Sequence, residues 1–112
     1  MANTKLYPLK FKPIFKERIW GGRNLETYFG KALPGEVKIG ESWELADLPG
    51  DKSEIVNGPL AGVTINEAIA KYGVELTGSE AVGSPFPLLI KLLDCQDVLS
   101  VQVHPDADTC KR

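Results

Sequence analysis

The chain has 112 residues, of which 43% are apolar and 25% charged, a composition typical of a globular protein and not of a disordered one. Thirteen basic and fifteen acidic residues give a net charge of −2, which excludes nucleic-acid and anionic-membrane partners from our expectations because both require a basic surface. No apolar segment approaches the ~20 residues of a membrane span, and the first residues lack the apolar segment of a signal peptide. We therefore expect a cytoplasmic protein of one domain, or one part of a larger domain.

The chain contains two cysteines, Cys95 and Cys110, and a single histidine, His104. The cysteines do not form a CxxC pair, and a single disulfide is too few to serve as the scaffold of a disulfide-stabilised fold. We therefore expect two free thiols in a reducing compartment. With one imidazole, the chain cannot by itself complete a metal site that requires several histidines.

Glycine and proline, 11 and 8 residues, separate short apolar segments, which predicts short strands joined by turns with few helices. The first predicted strand is Leu6–Phe15, which should be irregular or lie at an edge because its two prolines lack an amide donor. A short helix should follow, with Asn24 as its cap and Gly30 at its end. The residues predicted to form its buried side are Leu25, Tyr28 and Phe29.

The middle of the chain contains a predicted hairpin and the clearest predicted helix. Ser42–Asp47 alternates apolar and polar residues as a strand does, and a turn leads to a returning strand, Ser53–Val56. Thr64–Tyr72 has apolar residues at helical spacing, and Thr64 with Glu67 fits a capping box.

Two strongly apolar segments follow towards the end of the chain. Phe86–Leu93 fits a strand buried on both faces, although its periodicity does not exclude a helix, and Val98–His104 fits a second strand. We expect these two strands to pair antiparallel in the centre of a β-sandwich or barrel. The predicted fold class is therefore mainly β, a jelly roll or β-sandwich with one or two short helices.

Ser100, Gln102 and His104 alternate with apolar residues on the last predicted strand, so their side chains share one face. Two strand steps separate the Gln102 and His104 Cα atoms by roughly 6.6 Å, and both side chains can reach one ion at ~2 Å. Imidazole is a good zinc ligand and an amide oxygen a tolerable one. The alternative is a histidine at a strand end that only makes hydrogen bonds. In addition, two ligands are fewer than a zinc site requires.

Lys91 interrupts the apolar segment Phe86–Leu93, and burial of an unpaired ammonium is costly. Its side chain must therefore reach solvent, pair with a carboxylate or face a wet cavity, where it could anchor a phosphate or hydroxyl. Trp43 lies between two glutamates, Glu44 being one of them, and this combination suits sugar recognition. A plain core role for Trp43 is the simpler interpretation, and the same two interpretations apply to Trp20.

The order of five short segments is the most specific feature of the sequence. They are Tyr-Pro-Leu at 7–9, Ile-Trp-Gly-Gly at 19–22, Gly-Glu-Ser-Trp-Glu at 40–44, Phe-Pro-Leu-Leu-Ile-Lys at 86–91 and Leu-Ser-Val-Gln-Val-His-Pro-Asp at 99–106. This order resembles the N-terminal part of the type I mannose-6-phosphate isomerases, a zinc-dependent cupin family, in its shorter bacterial form. The resemblance extends over almost the whole chain.

The resemblance implies an enzyme that interconverts mannose 6-phosphate and fructose 6-phosphate with one zinc ion. It implies that Gln102 and His104 are zinc ligands. It also implies that four other residues line the substrate pocket, where two of them contact phosphate or sugar oxygens. These implied substrate-binding residues are Lys91, Ser100, Trp20 and Glu44.

The same resemblance implies that residues 1–112 are the N-terminal part of a single cupin-type domain, roughly the first third of such an enzyme. The other zinc ligands and the catalytic residues of the family then lie beyond Arg112, so the chain alone is expected to be inactive. An incomplete jelly roll has open strand edges, which predict self-association. The alternative, from a different class, is a non-catalytic β-rich sugar-binding or assembly module.

Overall fold

A computed structural model describes residues 5–80, 82–83 and 85–100 of the chain. Gln102, His104 and Cys110 lie outside these residues, as does most of the predicted strand Val98–His104. The described elements are strands that alternate with short helices. In chain order they are β1 (Ile14–Gly22), α1 (Asn24–Phe29), β2 (Ile39–Leu45), β3 (Asp47–Leu48), β4 (Asp51–Lys52), a 3₁₀ turn (Gly58–Leu60), α2 (Ile65–Tyr72), α3 (Val74–Thr77) and β5 (Ile90–Leu93).

The three longest of these strands form one antiparallel sheet in the order β1–β2–β5. Trp43 of β2 lies opposite Ile14 of β1 and opposite Lys91 of β5. Because β2 has a neighbour on each side, its backbone amides and carbonyls bond to strands that are far apart in the sequence. This central position makes β2 the element through which β1 and β5 are brought together.

A separate hairpin of β3 and β4 follows the central strand. Gly50 at its turn has a φ of 80°, a conformation that glycine adopts without strain, so the predicted turn is confirmed. The returning strand is Asp51–Lys52 and not the predicted Ser53–Val56. Ser53 is buried, and it exchanges two bonds with Ala46: its N–H donates to the Ala46 carbonyl and its hydroxyl accepts the Ala46 N–H, each at 2.8 Å.

The first predicted strand, Leu6–Phe15, is wrong in its bounds. β1 begins at Ile14 and continues to Gly22, and of residues 5–13 only Phe11 takes part in strand pairing, as an isolated bridge with Ile55. The prolines in this segment cannot donate to a ladder, which accounts for the irregular backbone. A strand is therefore present near the predicted position, but it begins only after the second proline, Pro13.

The apolar segment Phe86–Leu93 is also shorter as a strand than predicted. Only Ile90–Leu93 is strand, and Leu88, Ile90 and Leu93 are 57%, 49% and 50% exposed, so the prediction of burial on both faces is wrong. In the described part of the chain, β5 pairs with β2 alone, and residues 98–100 have no regular structure. The predicted self-association through open strand edges stays a prediction; in the described sheet, β1 and β5 are the outer strands.

Helix α1 begins differently from the prediction, because its N-cap residue is Arg23 and not Asn24. The capping group comes from a distant part of the chain: Asp94 Oδ2 accepts the Asn24 backbone N–H at 2.8 Å. Gly30 ends the helix in the left-handed conformation with a φ of 65°, as predicted. Asp94 directly follows β5, so this bond ties the start of α1 to the edge of the sheet.

In the described part of the chain, apolar residues collect in two small clusters instead of one continuous core. Leu25 of α1 is 2% exposed and packs in the first cluster, but Tyr28 and Phe29 are exposed, so the predicted buried side of α1 is correct for one residue of three. The first cluster comprises Leu25, Leu33 and Ile39, with Phe15 and Leu92 packed against them. The second comprises Ile55, Leu60 and Ala68, with Tyr7, Leu9, Phe11, Val63, Tyr72 and Leu76 packed against them.

The predicted capping box at the start of α2 is confirmed. The Glu67 carboxylate accepts the Thr64 backbone N–H at 3.2 Å and the Thr64 hydroxyl at 2.7 Å. These bonds from the Thr64 hydroxyl and backbone lower the pKa of Glu67 below its ordinary value of 4.5. Gly73 follows the last residue of α2, as predicted.

The described residues are mainly strands with a few short helices, so the predicted mainly β composition is confirmed. Three short α-helices are present in the described part, one more than the upper limit of the prediction. Among the same residues, none of the helices has the length and apolar character that crossing a lipid bilayer demands.

We predict that Thr64→Ala lowers the free energy of unfolding by about 1 kcal/mol and the melting temperature by roughly 4–8 °C, because the capping box is lost. Thermal unfolding followed by circular dichroism measures the change. Thr27→Ala, at an exposed site inside α1, is the matched control and should shift stability by less than about 0.5 kcal/mol. Equal melting temperatures for Thr64→Ala and the unaltered chain would contradict the role of the cap.

Candidate functional site

The end of β1 departs from regular pairing with β2. Both Glu17 and Gly22 lie opposite Ile39, so the four residues between them form a bulge in β1. Bulges redirect side chains and are common beside functional sites. Arg18 and Trp20 both lie in this bulge.

Two glycines allow the bulge to lie close against β2. A Cβ atom at Gly21 would lie 2.5 Å from the backbone nitrogen of Gly40. A Cβ atom at Gly40 would lie 2.6 Å from Arg18 Cβ and 2.7 Å from Trp20 Cζ3. These distances are shorter than atoms tolerate, so the absence of both side chains is what lets Arg18 and Trp20 take their positions.

A cavity of about 450 Å³ opens beside this bulge. Its volume falls within the ~300–1,000 Å³ that is usual for small-molecule sites. All three strands of the sheet contribute to its wall, together with the segment that follows β5. The lining residues are Arg18, Trp20, Glu41, Lys91, Leu93, Leu99 and Ser100.

The Glu41 carboxylate is the most heavily bonded group of this cavity. Its Oε1 accepts the Trp43 indole N–H at 2.8 Å and lies 3.0 Å from Lys91 Nζ. Its Oε2 lies 3.3 Å from Arg18 Nε. Glu41 is only 7% exposed, and a buried carboxylate requires partners of this kind to offset the loss of hydration.

The environment of Glu41 favours its ionised form. Burial by itself would raise the pKa of the Glu41 carboxyl. The hydrogen bonds from Trp43 and Lys91 and the positive charges of Lys91 and Arg18 outweigh burial, so the pKa lies below its ordinary value of 4.5. The carboxylate is therefore charged at neutral pH, and the wall of the cavity contains two cations and one anion.

The structure brings together three of the four residues implied to bind substrate. Trp20, Lys91 and Ser100 line the same cavity. The three alternatives for Lys91 occur together, because its side chain is 36% exposed, pairs with the Glu41 carboxylate and faces a cavity. Their roles in binding a substrate stay predictions.

Glu44 is not brought to this cavity. Its carboxylate pairs with Lys31 Nζ at 2.6 Å and accepts a hydrogen bond from the Ser42 hydroxyl. Residues 42 and 44 alternate with residues 41 and 43 along β2, and it is Glu41 that bonds to Lys91 and Arg18.

Glu41 and Arg18 line the cavity although neither is among the residues implied to bind substrate. One signal for Glu41 was present, because residues 41 and 43 share a face of a strand and a carboxylate there can reach the Trp43 indole. Arg18 gave no comparable signal, since its position depends on the irregular register of β1.

The described residues contain no cluster of three or more histidine, cysteine, aspartate and glutamate side chains that could hold a metal ion. The two implied zinc ligands, Gln102 and His104, lie beyond the described part of the chain. Cys95 is an exposed thiol without a disulfide among the described residues. Because Cys110 lies outside them, the expectation of two free thiols stays a prediction.

A second cavity, of about 230 Å³, is lined mainly by apolar residues, among them Tyr7, Phe11, Ile69 and Phe86. Charged groups do not line it in the described structure. It lacks the convergent polar groups that orient a ligand. The cavity around Glu41 is therefore the better candidate for a functional site.

A solved structure supports the predicted fold class. The crystal structure of the mannose 6-phosphate isomerase from Bacillus subtilis superposes with a TM-score of 0.66 and 42% sequence identity, over 79% of this chain and 27% of that one. The predicted cupin-type fold is therefore confirmed for the part of the chain that is matched.

Residues 8–112 match the family model for the catalytic domain of type I phosphomannose isomerases. This match includes all but seven residues of the chain. The chain therefore belongs to the type I phosphomannose isomerase family, as its sequence resemblance implied.

Several relatives have similar sequences. The probable mannose-6-phosphate isomerase GmuF of Bacillus subtilis is 47% identical over 105 residues, which are 94% of this chain and 32% of that protein. The mannose-6-phosphate isomerase of Streptococcus mutans is 42% identical over 99 residues, 88% of this chain and 30% of that protein. The chain thus spans about a third of the length of the curated relatives that it matches.

We predict that the indole N–H resonance of Trp43 titrates with an apparent pKa below 4.5, because this group donates to Glu41. Lys91→Met should raise that pKa, since it removes a hydrogen bond and a positive charge. Because the pKa is lowered on folding, the stabilising contribution of Glu41 is present above pH 4.5 and is lost as the pH falls through the folded-state pKa.

Nuclear magnetic resonance of the 112-residue chain can measure this titration, because the chain contains two tryptophans and hence two indole signals. Lys71→Met, at an exposed position of α2, is the matched control and should leave the titration unchanged. If Lys91→Met titrates like the unaltered chain, the assigned contact with Glu41 is wrong.

Proposed function

We propose that the protein to which this chain belongs interconverts mannose 6-phosphate and fructose 6-phosphate, and that this chain supplies part of the substrate pocket. Membership of the type I phosphomannose isomerase family supports the reaction. The observation that carries the proposal for this chain is the convergence of Trp20, Lys91 and Ser100 on one cavity.

The chemistry of these side chains suits a sugar phosphate. An ammonium has three donors, so Lys91 can bond to a phosphate or hydroxyl oxygen while it remains paired with Glu41. The Ser100 hydroxyl can donate to or accept from sugar oxygens, and the Trp20 ring can pack against the apolar face of a sugar. These groups would bind and orient the substrate, which lowers the barrier of the reaction through positioning.

Aldose–ketose isomerisation moves a proton between C1 and C2, and a correctly positioned base is needed for this transfer. Glu41 is a poor candidate for that base, because its carboxylate is already bonded to Trp43, Lys91 and Arg18. We therefore assign the residues of this chain to substrate binding and expect the base to lie beyond Arg112.

We further propose that Gln102 and His104 supply two ligands of a zinc ion. Their spacing of two residues and the family resemblance support this assignment, and Ser100, two residues earlier, lines the cavity. When bound, zinc would polarise the carbonyl and hydroxyl oxygens of the substrate. Catalytic zinc sites use three protein ligands or more, and the family resemblance implies that the remaining ligands lie beyond Arg112.

A chimera tests the proposed reaction. In GmuF of Bacillus subtilis, the segment that this chain matches is replaced by this chain, and turnover of mannose 6-phosphate is followed in a coupled assay. We expect the chimera to be active and the 112-residue chain alone to be inactive. Lys91→Met in the chimera should lower kcat/KM by roughly 10–100-fold, the value of one charge-assisted hydrogen bond.

Lys71→Met in the same chimera is the control and should keep full activity. A folded chimera without turnover would contradict the proposed reaction. If that chimera still binds mannose 6-phosphate and a chelator does not change the binding, the alternative of a non-catalytic sugar-binding module is favoured.

The zinc assignment can be tested by measuring bound metal, without an activity assay. His104→Ala in the chimera should lower the zinc content, measured by atomic emission, from about one ion per chain to a small fraction of that. Cys110→Ala is the matched control, because its thiol is not an expected ligand, and should retain the metal. Retention of zinc by His104→Ala would show that the ligand assignment is wrong.

A further inference from the structure

One carboxylate joins all three strands of the sheet at the wall of the cavity. Glu41 belongs to β2, and it bonds to Arg18 of β1 at 3.3 Å and to Lys91 of β5 at 3.0 Å. The Arg18 and Lys91 side chains are 38% and 36% exposed, whereas that of Glu41 is 9% exposed. The anion is thus buried beneath two cations that remain accessible from the cavity.

The Glu41 carboxylate is itself held in place. The Trp43 indole N–H donates to Oε1 at 2.8 Å. The Trp43 ring in turn lies 4.5 Å from Lys16 Nζ, a distance that permits a cation–π contact, and Lys16 pairs with Asp51 at 2.9 Å. The oxygen that Lys91 contacts is therefore oriented by a neighbour on its own strand, whose ring is also held.

Both cations keep donors for a ligand. A guanidinium has five N–H donors and an ammonium three. Arg18 also donates from Nη1 to the Glu17 carbonyl at 2.9 Å, and these contacts together with those to Glu41 do not exhaust the donors of either group. Two cations and one carboxylate leave the trio with one net positive charge. A single phosphate group has the charge and the acceptor oxygens to bind to both cations at once.

We propose that Glu41 is a positioning residue, whose buried carboxylate holds Arg18 and Lys91 in the geometry that binds the phosphate of the substrate. This inference rests on the proposed function, since it assumes that the cavity accepts a sugar phosphate. Lysine and arginine side chains have many rotamers, and a ligand that had to order both would lose affinity. The bonds to Glu41 order them before the ligand arrives.

The competing explanation is that Glu41 only balances charge, and the two explanations predict opposite results for one substitution. Glu41→Gln keeps the size of the side chain but removes its negative charge. If Glu41 only balances charge, the variant has one more net positive charge and should bind phosphate more tightly. If Glu41 positions the cations, the variant should bind phosphate more weakly in spite of its additional positive charge.

The experiment uses the 112-residue chain at pH 7, with inorganic phosphate and then mannose 6-phosphate as probes. Amide and indole resonances of Trp20, Lys91 and Ser100 are followed by nuclear magnetic resonance, and dissociation constants are obtained from their shifts. We expect Glu41→Gln to raise the dissociation constant for both probes roughly tenfold, as for the loss of one charge-assisted interaction. Glu26→Gln, in an exposed ion pair of α1, is the control and should bind as the unaltered chain does.

Glu41→Asp is the second variant, and it decides the question if Glu41→Gln does not fold. It keeps the charge but shortens the side chain by one methylene. The positioning role therefore predicts weaker phosphate binding, whereas charge balance alone predicts unchanged binding. The indole signals and the melting temperature of each variant show whether it is folded.

Each result bears on one proposal or the other. Binding by Glu41→Gln that equals or exceeds that of the unaltered chain overturns the positioning role and leaves the proposed function intact. If the unaltered chain binds neither probe, the substrate cavity itself is contradicted, and the positioning role is rejected with it.

Discussion

The burial of one carboxylate in the sheet governs the arrangement around the cavity. Glu41 is 7% exposed on the central strand, where an unpaired charge would be costly. Its partners come from both neighbouring strands and from its own strand. The requirement to pair this carboxylate therefore also determines where the cations Arg18 and Lys91 can lie. The wall of the cavity and a structural ion network therefore share the same side chains.

The backbone around this network is shaped by positions that lack side chains. Gly21 and Gly40 permit β1 to bulge closely over β2, which brings Arg18 and Trp20 to the cavity. At the other end of the bulge, Gly22 leaves room for Asp94, whose Oδ2 would lie 3.1 Å from a Cβ atom there. Asp94 caps α1 from beyond β5, so the same short segment connects the sheet, the helix and the cavity wall.

Family membership places the network in a functional context. The chain matches the catalytic domain of type I phosphomannose isomerases over residues 8–112, yet spans about a third of the length of its curated relatives. Among the described residues, β5 pairs with β2 alone, and several apolar residues in and before β5, including Leu88 and Ile90, are exposed.

Much of the candidate site could be anticipated from the sequence. The residues of the cavity that could not be anticipated share a physical cause. Trp20, Lys91 and Ser100, which the resemblance implied as pocket residues, line one cavity, whereas Glu44 does not line it and Glu41 does. The substrate-binding roles of the four implied residues stay predictions. Either glutamate fits a sugar-binding motif beside Trp43 when only the order of residues is known. The choice between them depends on which face of β2 meets Lys91, a residue 50 positions away. Sequence spacing contains no information about that register.

Taken alone, the sequence determined the features that involve only a few consecutive residues. These are the capping box of Thr64 and Glu67, the glycine that ends α1 and the turn at Gly50. These depend on bonds between near neighbours and on the φ values open to glycine. Only the tertiary structure decided that Asp94 caps α1 and that Glu41 pairs with Arg18 and Lys91. Those contacts join distant segments, and their geometry arises from strand register and a bulge, which no local pattern specifies.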